Sequence, residues 1–139
     1  MAIFTLTDGY VVVNGVTLSD HANQITVDDT RDQVDITAFG ATNKAYTKGL
    51  GDASITVQFF QDFAASKVHA TLQPLIGSTS PVTIEVRPTS GARSTTNPAA
   101  VMSGLLFDYK FLDGQIGQAS MITAQFINGA SAGITYPTS

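Results

Sequence analysis

The stretch Ala38–Phe60, AFGATNKAYTKGLGDASITVQFF, decides the fold. Its second half alternates. Ile55, Val57 and Phe59 fall on one side, and Ser54, Thr56 and Gln58 on the other. That is the period of a strand with one face in a core and one polar face. The first half has glycines at Gly40, Gly49 and Gly51, lysines at Lys44 and Lys48, and Tyr46. It has too little apolar surface to order itself. The pattern predicts a long mobile loop over about residues 40–52, running straight into one of the best strands of the chain.

Downstream of that strand, Asp62–Gly77 holds the one helical pattern. Val68, Leu72, Leu75 and Ile76 make a single apolar stripe. Asp62 or Ser66 is placed to cap its start, Pro74 to disturb its last turn and Gly77 to end it. Pro81–Pro88 alternates again, with Val82, Ile84 and Val86 inward. A polar loop follows over about residues 88–99. Ser103–Gly114 predicts a strand with Leu105, Phe107, Tyr109 and Phe111 on its apolar face. Asp113-Gly114 then forms the turn into a strand over Gln118–Ile127. The tail AGITYPTS supplies a short edge strand.

Upstream, Tyr10–Ser19 carries Asn14-Gly15 between β-branched runs, a strong hairpin signal. Asn23–Asp29 and Asp32–Phe39 both alternate, and the polar run Asp28–Asp32 between them reads as the turn of a second hairpin. Seven or eight strands and one helix predict a mainly β, single-domain chain over residues 1–139. The expected architecture is a β-sandwich or barrel-like domain with a helix on one side.

Composition narrows the function. Of 139 residues, 43% are hydrophobic and only 13% charged. That charged share is about half the usual one for a soluble domain, so the surface is covered by Ser, Thr, Asn, Gln, Gly and Ala. Such a surface suits contact with other protein. The net charge of −4 argues against wrapping nucleic acid, though not against nucleic acid sliding past a repelling wall. There is no cysteine, so disulfide and thiolate chemistry are excluded. The start MAIFTLTDGY has no basic region and no long apolar run, so no signal peptide is expected. No segment has the length of a membrane span.

Candidate chemistry is sparse. His21 and His69 stand alone, as ordinary histidines do, and no His or Cys spacing suggests a metal site. GQIGQAS, Gly114–Ser120, has two glycines but neither a lysine nor a following helix, so a phosphate loop is not expected. Asp28, Asp29, Asp32 and Asp35 form an acidic set without the loop glycine of a calcium site and with Arg31 in its middle. A solvated turn and an acidic patch on an inner wall both remain open. Tyr46 is either an exposed aromatic or an anchor for a partner.

The order VDITAFGATNKAYTKGL, GDASITVQFFQDF, VHATLQPLIG, TIEVRPTSGARSTTNP and GQIGQASMITAQF spans about Val34–Phe126. It resembles the tail tube (major tail) proteins of long-tailed bacteriophages, above all those with flexible tails. The resemblance implies a β-sandwich with a flanking helix and no enzymatic activity or cofactor. It implies subunits in sixfold rings whose sheets join into an inner barrel, the rings stacking into a tube that conducts viral DNA without reading its sequence. It implies a place in the virion tail, after assembly in the host bacterial cytoplasm. The implied partners are further copies of the chain and tape-measure, tail-tip and tail-terminator proteins, with no membrane.

On that reading Thr42, Asn43, Lys44, Tyr46, Lys48 and Leu50 form a stacking loop between rings. Asp28, Asp35, Ser54, Thr56 and Gln58 are lumen candidates, with Asp29, Asp32, Asp52 and Asp62 nearby. Two alternatives remain. One is a tail-terminator or head-tail connector ring. The other is a ligand-binding β-sandwich module, which would want clustered surface aromatics, whereas this chain has no Trp and four Tyr. An enzyme is the weakest reading, since neither a nucleophile nor an acid/base pair emerges.

Overall fold

Asn14 and Gly15 both take positive φ, +50° and +81°. They turn β1 (Tyr10–Val13) back into the two-residue β2 (Val16–Thr17), as the Asn-Gly signal predicts. The computed structural model describes residues 3–139. After a short 3₁₀ turn at Ser19–His21 comes β3 (Ala22–Asp35), and after it β4 (Tyr46–Phe60). Helix α1 is Val68–Ile76. The strands β5 (Val82–Arg87), β6 (Ala100–Tyr109), β7 (Met121–Asn128) and β8 (Ile134–Thr135) complete the chain.

All strands belong to one antiparallel sheet of order β2-β1-β5-β6-β7-β4-β3, with β8 paired to β6 beside it. The sheet curls over its own inner face. Val11 and Val13 of β1, Ile84 of β5, Met102 of β6, Ile55, Val57 and Phe59 of β4, and Ile122 and Phe126 of β7 share one buried cluster. Val68, Leu72 and Leu75 of α1 join it, and the helix packs on β6. Curling brings Ile25 and Val27 of β3 opposite Val86 of β5, leaving a groove of about 360 Å³ between them. The barrel-like domain with one flanking helix is therefore realised by a single folded-over sheet.

The expected second hairpin does not form. Residues 22–35 are one strand, and the polar run Asp28–Asp32 passes straight through it. Its partner is β4, along the whole length from Ala22↔Phe59 to Asp35↔Tyr46. The expected loop over residues 40–52 is likewise corrected. Residues 46–52 are strand, and only the tip between Asp35 and Tyr46 is a turn.

The helix is shorter than its pattern. Neither Asp62 nor Ser66 caps it: the N-cap is Lys67, without a side-chain bond. Ser66 has φ +60°, and Asp62 instead accepts the Ala64 N–H on Oδ1 at 2.9 Å. Ile76 faces solvent, while Pro74 is tolerated two residues before the end.

In β6 the buried face is the opposite of the expected one. Leu106 is 4% exposed and Phe107 60%. A bulge between Leu106 and Asp108 shifts the phase there, so Tyr109 returns to the core side. Asp113-Gly114 is not a tight turn: Lys110–Ser120 is a loop, and β7 starts at Met121.

Candidate assembly surfaces

The outer face of β3-β4-β7-β6 is a ruled polar surface. Direct cross-strand neighbours point to the same side of a sheet. One row runs Thr26, Thr56, Gln125, Asp108, and a second runs Gln24, Gln58, Thr123. A third runs Asp28, Ser54, Ile127, Leu105 and ends in two apolar residues. Beneath each polar residue of β4 an apolar neighbour is fully buried: Ile55, Val57 and Phe59. The face is pinned outward by that alternation, since a one-residue slip would put Thr56 and Gln58 into the core.

This four-stranded unit ends in two unpaired edges. Among the described residues β3 pairs only with β4, which leaves its other edge without a strand. β5 covers β6 only over Ala100–Gly104, which leaves Leu105–Tyr109 without a strand on that side among the described residues. Exposed strand edges of this kind invite pairing with another chain.

Beyond the body, β3 and β4 continue as a two-stranded arm. Among the described residues the rungs Arg31↔Gly51, Gln33↔Lys48, Val34↔Thr47 and Asp35↔Tyr46 have no third strand beside them. Turn bonds close the tip: the Ile36 N–H reaches the Ala45 carbonyl at 2.9 Å, and the Ala45 N–H reaches Thr37 Oγ1 at 2.8 Å. Asp35 accepts the Thr37 N–H at 2.9 Å, and the Thr37 side chain, followed by that N–H, holds its carboxyl below the usual range. Gly40 takes φ +88° at the turn. The arm leaves Val34, Ile36, Phe39, Tyr46 and Leu50 exposed. An isolated two-stranded ribbon is at best marginally stable in water.

The register shift between Arg31 and Gln33 is a bulge in β4: Asp32 faces the two residues Gly49 and Leu50 between the rungs Arg31↔Gly51 and Gln33↔Lys48. A Cβ on Gly49 would meet the side chains of Val34 and Asp32, as that phase requires. Beyond the bulge the phase of β4 is reversed, so Tyr46 and Lys48 share the side of Gln33 and Asp35, opposite to Asp52, Ser54, Thr56 and Gln58. The residues expected to stack and those expected to line a lumen thus lie on one strand, but Tyr46, Lys48 and Asp35 are on the other side from Ser54, Thr56 and Gln58. Thr42, Asn43 and Lys44 sit in the tip turn. Asp28 lies on the outward polar face beside Ser54, while Asp29 points to the inner side, where it pairs with Arg31 and Tyr136. Sequence reading passed over Val34, Ile36 and Phe39, whose alternation looks like that of a buried strand.

Three solved structures have a similar fold. A chain in the virion of the native gene transfer agent particle aligns over 94% of this chain and 95% of its own, at TM-score 0.71 and 10% identity. One in the extended PVC sheath-tube complex of an extracellular contractile injection system aligns over 99% and 93%, at TM-score 0.72 and 12% identity. One in the tail of the empty gene transfer agent particle, determined with C6 symmetry, aligns over 84% and 82%, at TM-score 0.65 and 10% identity. The chain has their fold. No protein-family model and no curated protein matches its sequence, so the shared fold is carried by pattern and topology at very low identity.

Within that fold the titratable residues are tied into small local networks. His21 sits between two carboxylates, Nδ1 at 2.8 Å from Asp20 and Nε2 at 2.7 Å from Asp62. The bond to Asp20 chiefly raises the imidazole above its ordinary value; burial opposes it, and the bond to Asp62 adds to the rise. Lys67 adds a longer contact to Asp20 at 3.6 Å. Asp62 is therefore a clamp at the base of the β3-β4 ribbon, away from the rows of the polar face.

His69 Nδ1 lies 2.6 Å from the Tyr109 hydroxyl, and its ring sits tilted against Phe63 and edge-on to Phe111. Glu85 binds both Arg87 and Arg93, and Arg93 chiefly holds its carboxyl below the usual range. Among the described residues no three His, Cys, Asp or Glu side chains converge as a metal site would require.

Proposed function

We propose that the chain is a structural subunit that closes into six-membered rings and stacks into a tube conducting DNA, as the tail tube of a phage-like particle. The observation that carries this reading is the four-stranded sheet β3-β4-β7-β6. It has an outward polar face and a free edge on each side. Joining the β3 edge of one subunit to the β6 edge of the next repeats the sheet around a closed circle, which removes both edges. The rows of Thr, Gln and Ser then line the inside of the barrel. Their hydroxyls and amides offer little to hold a phosphate backbone, and Asp28 and Asp108 repel it.

The C6 symmetry of the gene transfer agent tail and the sheath-tube complex of the contractile injection system, both built with chains of this fold, support the ring number and the tube. The arm projects from one end of the sheet, where a stacking contact between rings belongs. A head-to-tail contact that does not close on itself generates a filament. On this reading the protein acts by geometry and not by catalysis, needs no cofactor, and is assembled into the virion tail in the bacterial host. Tape-measure, tail-tip and tail-terminator proteins are its further partners.

The test is negative-stain electron microscopy of the purified protein across a concentration series. Hollow tubes of uniform width built from sixfold rings are expected. Single rings that never elongate would favour a terminator or connector role, and monomers at every concentration would count against the assembly reading.

A further inference from the structure

β4 carries the arm at its start, Tyr46, and ends at Phe60, paired with Met121. Its 15 residues place these two ends roughly 50 Å apart. At the Phe60 end the loop Lys110–Ser120 leaves the sheet. It is held in place: the Gln61 N–H reaches the Ser120 carbonyl at 2.9 Å, Gln61 Nε2 reaches the Phe111 carbonyl at 2.6 Å, and Ser120 Oγ reaches the Asp113 carbonyl at 2.7 Å. It nevertheless exposes Phe111, Leu112 and Ile116. Ile116 is followed by Gly117 at φ +83°, as Phe39 is followed by Gly40 at φ +88°. Each end of the molecule thus presents a fully exposed apolar side chain at the crest of a glycine turn.

We propose that the loop Lys110–Ser120 is the surface on which the arm of a second copy docks, Phe39 and Leu50 of the arm covering Leu112 and Ile116. This rests on the stacking reading above and names its receiving side. The arm cannot reach its own loop, because both are fixed to opposite ends of the same strand. The contact therefore joins two copies, and it leaves a free arm and a free loop after each addition.

Charge favours this pairing over arm against arm. Arg31–Gly51 contains Arg31, Lys44 and Lys48 with Asp32 and Asp35, a net +1, while Lys110–Ser120 contains Lys110 and Asp113 and is neutral. Arm against arm would bring the lysines together instead. Two apolar crests that are costly to leave in water are covered by the same event.

The chain has no cysteine, so single thiols report the contact without background. The Phe39→Cys and Ile116→Cys chains are mixed at assembling concentration and treated with a short bis-maleimide, alongside the double variant. The mixed pair is expected to give one cross-linked dimer and the double variant a ladder of higher multiples, with neither single variant linking to itself. Absence of the mixed cross-link, or Phe39→Cys linking to its own kind, overturns the docking site. A second variant, Leu112→Asp with Ile116→Asp, is expected to abolish stacking while rings persist; tubes of normal length from it overturn the proposal as well. Micrographs of the same samples score rings separately. Rings without the mixed cross-link remove this inference alone, and the lack of rings removes the ring reading with it.

Discussion

The hydroxyl of Tyr136 donates to Asp29 Oδ2 at 2.8 Å, joining residues 107 positions apart. Asp29 lies on β3 at the root of the arm, and Tyr136 lies in the tail just beyond β8. Arg31 is the larger influence holding the Asp29 carboxyl below its usual range, and Tyr136 adds to it. The C-terminal segment thus braces the place where the arm leaves the body. In Tyr136→Phe, amide exchange over residues 29–35 is expected to accelerate severalfold while residues 55–59 stay protected. Hydrogen exchange read by mass spectrometry checks this. Unchanged exchange at the root would mean that the tail does not brace it.

The phase of β6 makes a sharp comparison. Leu106 is in the core and Phe107 beside it faces water. Leu106→Ala is expected to cost about 2–5 kcal/mol of stability, and Phe107→Ser no more than about 0.5 kcal/mol. Urea unfolding of the two variants measures both, and the reverse ranking would place the bulge wrongly.

Asn97 is the buried polar residue that organises the loop between β5 and β6. Its Oδ1 accepts the Thr89 N–H at 3.0 Å, and its Nδ2 donates to the Gly91 and Ala92 carbonyls at 2.9 and 3.1 Å. Asn97→Ala leaves the Thr89 N–H and the Ala92 carbonyl without this partner, while the Gly91 carbonyl keeps Arg87 Nη1 at 3.0 Å, and a loss of about 1–3 kcal/mol is expected. A thermal midpoint within a degree or so of the parent's would show that water replaces the amide at no cost.

The clamp at His21 predicts a dependence on pH. Its imidazole is raised in the folded state, so its contribution is complete below the ordinary value of 6.5 and fades as pH rises through the raised value. Asp20 is lowered chiefly by its bond to His21, and Asp62 chiefly by the Ala64 N–H and then by His21. Their contribution is present above 3.8 and is lost as pH falls through the lowered values. The difference in thermal midpoint between the parent and His21→Gln should therefore be largest between those limits and shrink on both sides. A flat difference from about pH 4 to pH 9 would mean that the ion pairs add nothing.

The sequence disclosed most where one face of a strand is buried. Ile55, Val57 and Phe59 alternate with Ser54, Thr56 and Gln58 because the core lies on one side only, and the outward set was readable without coordinates. Asn14-Gly15 was readable because its turn needs positive φ at both residues. The arm was not, for the same physical reason: both of its faces meet solvent, so Asp28–Asp32 and Tyr46–Asp52 have no alternation to show. The polar run in β3 looked like a turn and the glycines of β4 like a loop. In β6 the alternation was genuine, but the bulge after Leu106 reversed its sense midway. The stacking and wall candidates were picked out separately, and only the register of β3 with β4 shows that they share a strand whose bulge turns Tyr46 and Lys48 to the other side.

The continuity of β4 has a mechanical consequence. The part of the strand in the arm and the part between β3 and β7 are one covalent segment, Tyr46–Phe60. A pull on the tip along the strand axis is delivered to the seven pairs between Ser54–Phe60 and Ile127–Met121. These bonds lie across the direction of pull and are loaded together in shear, not opened one after another like a zip. A tension borne by such arms along a column of subunits would therefore meet the strongest direction of each sheet.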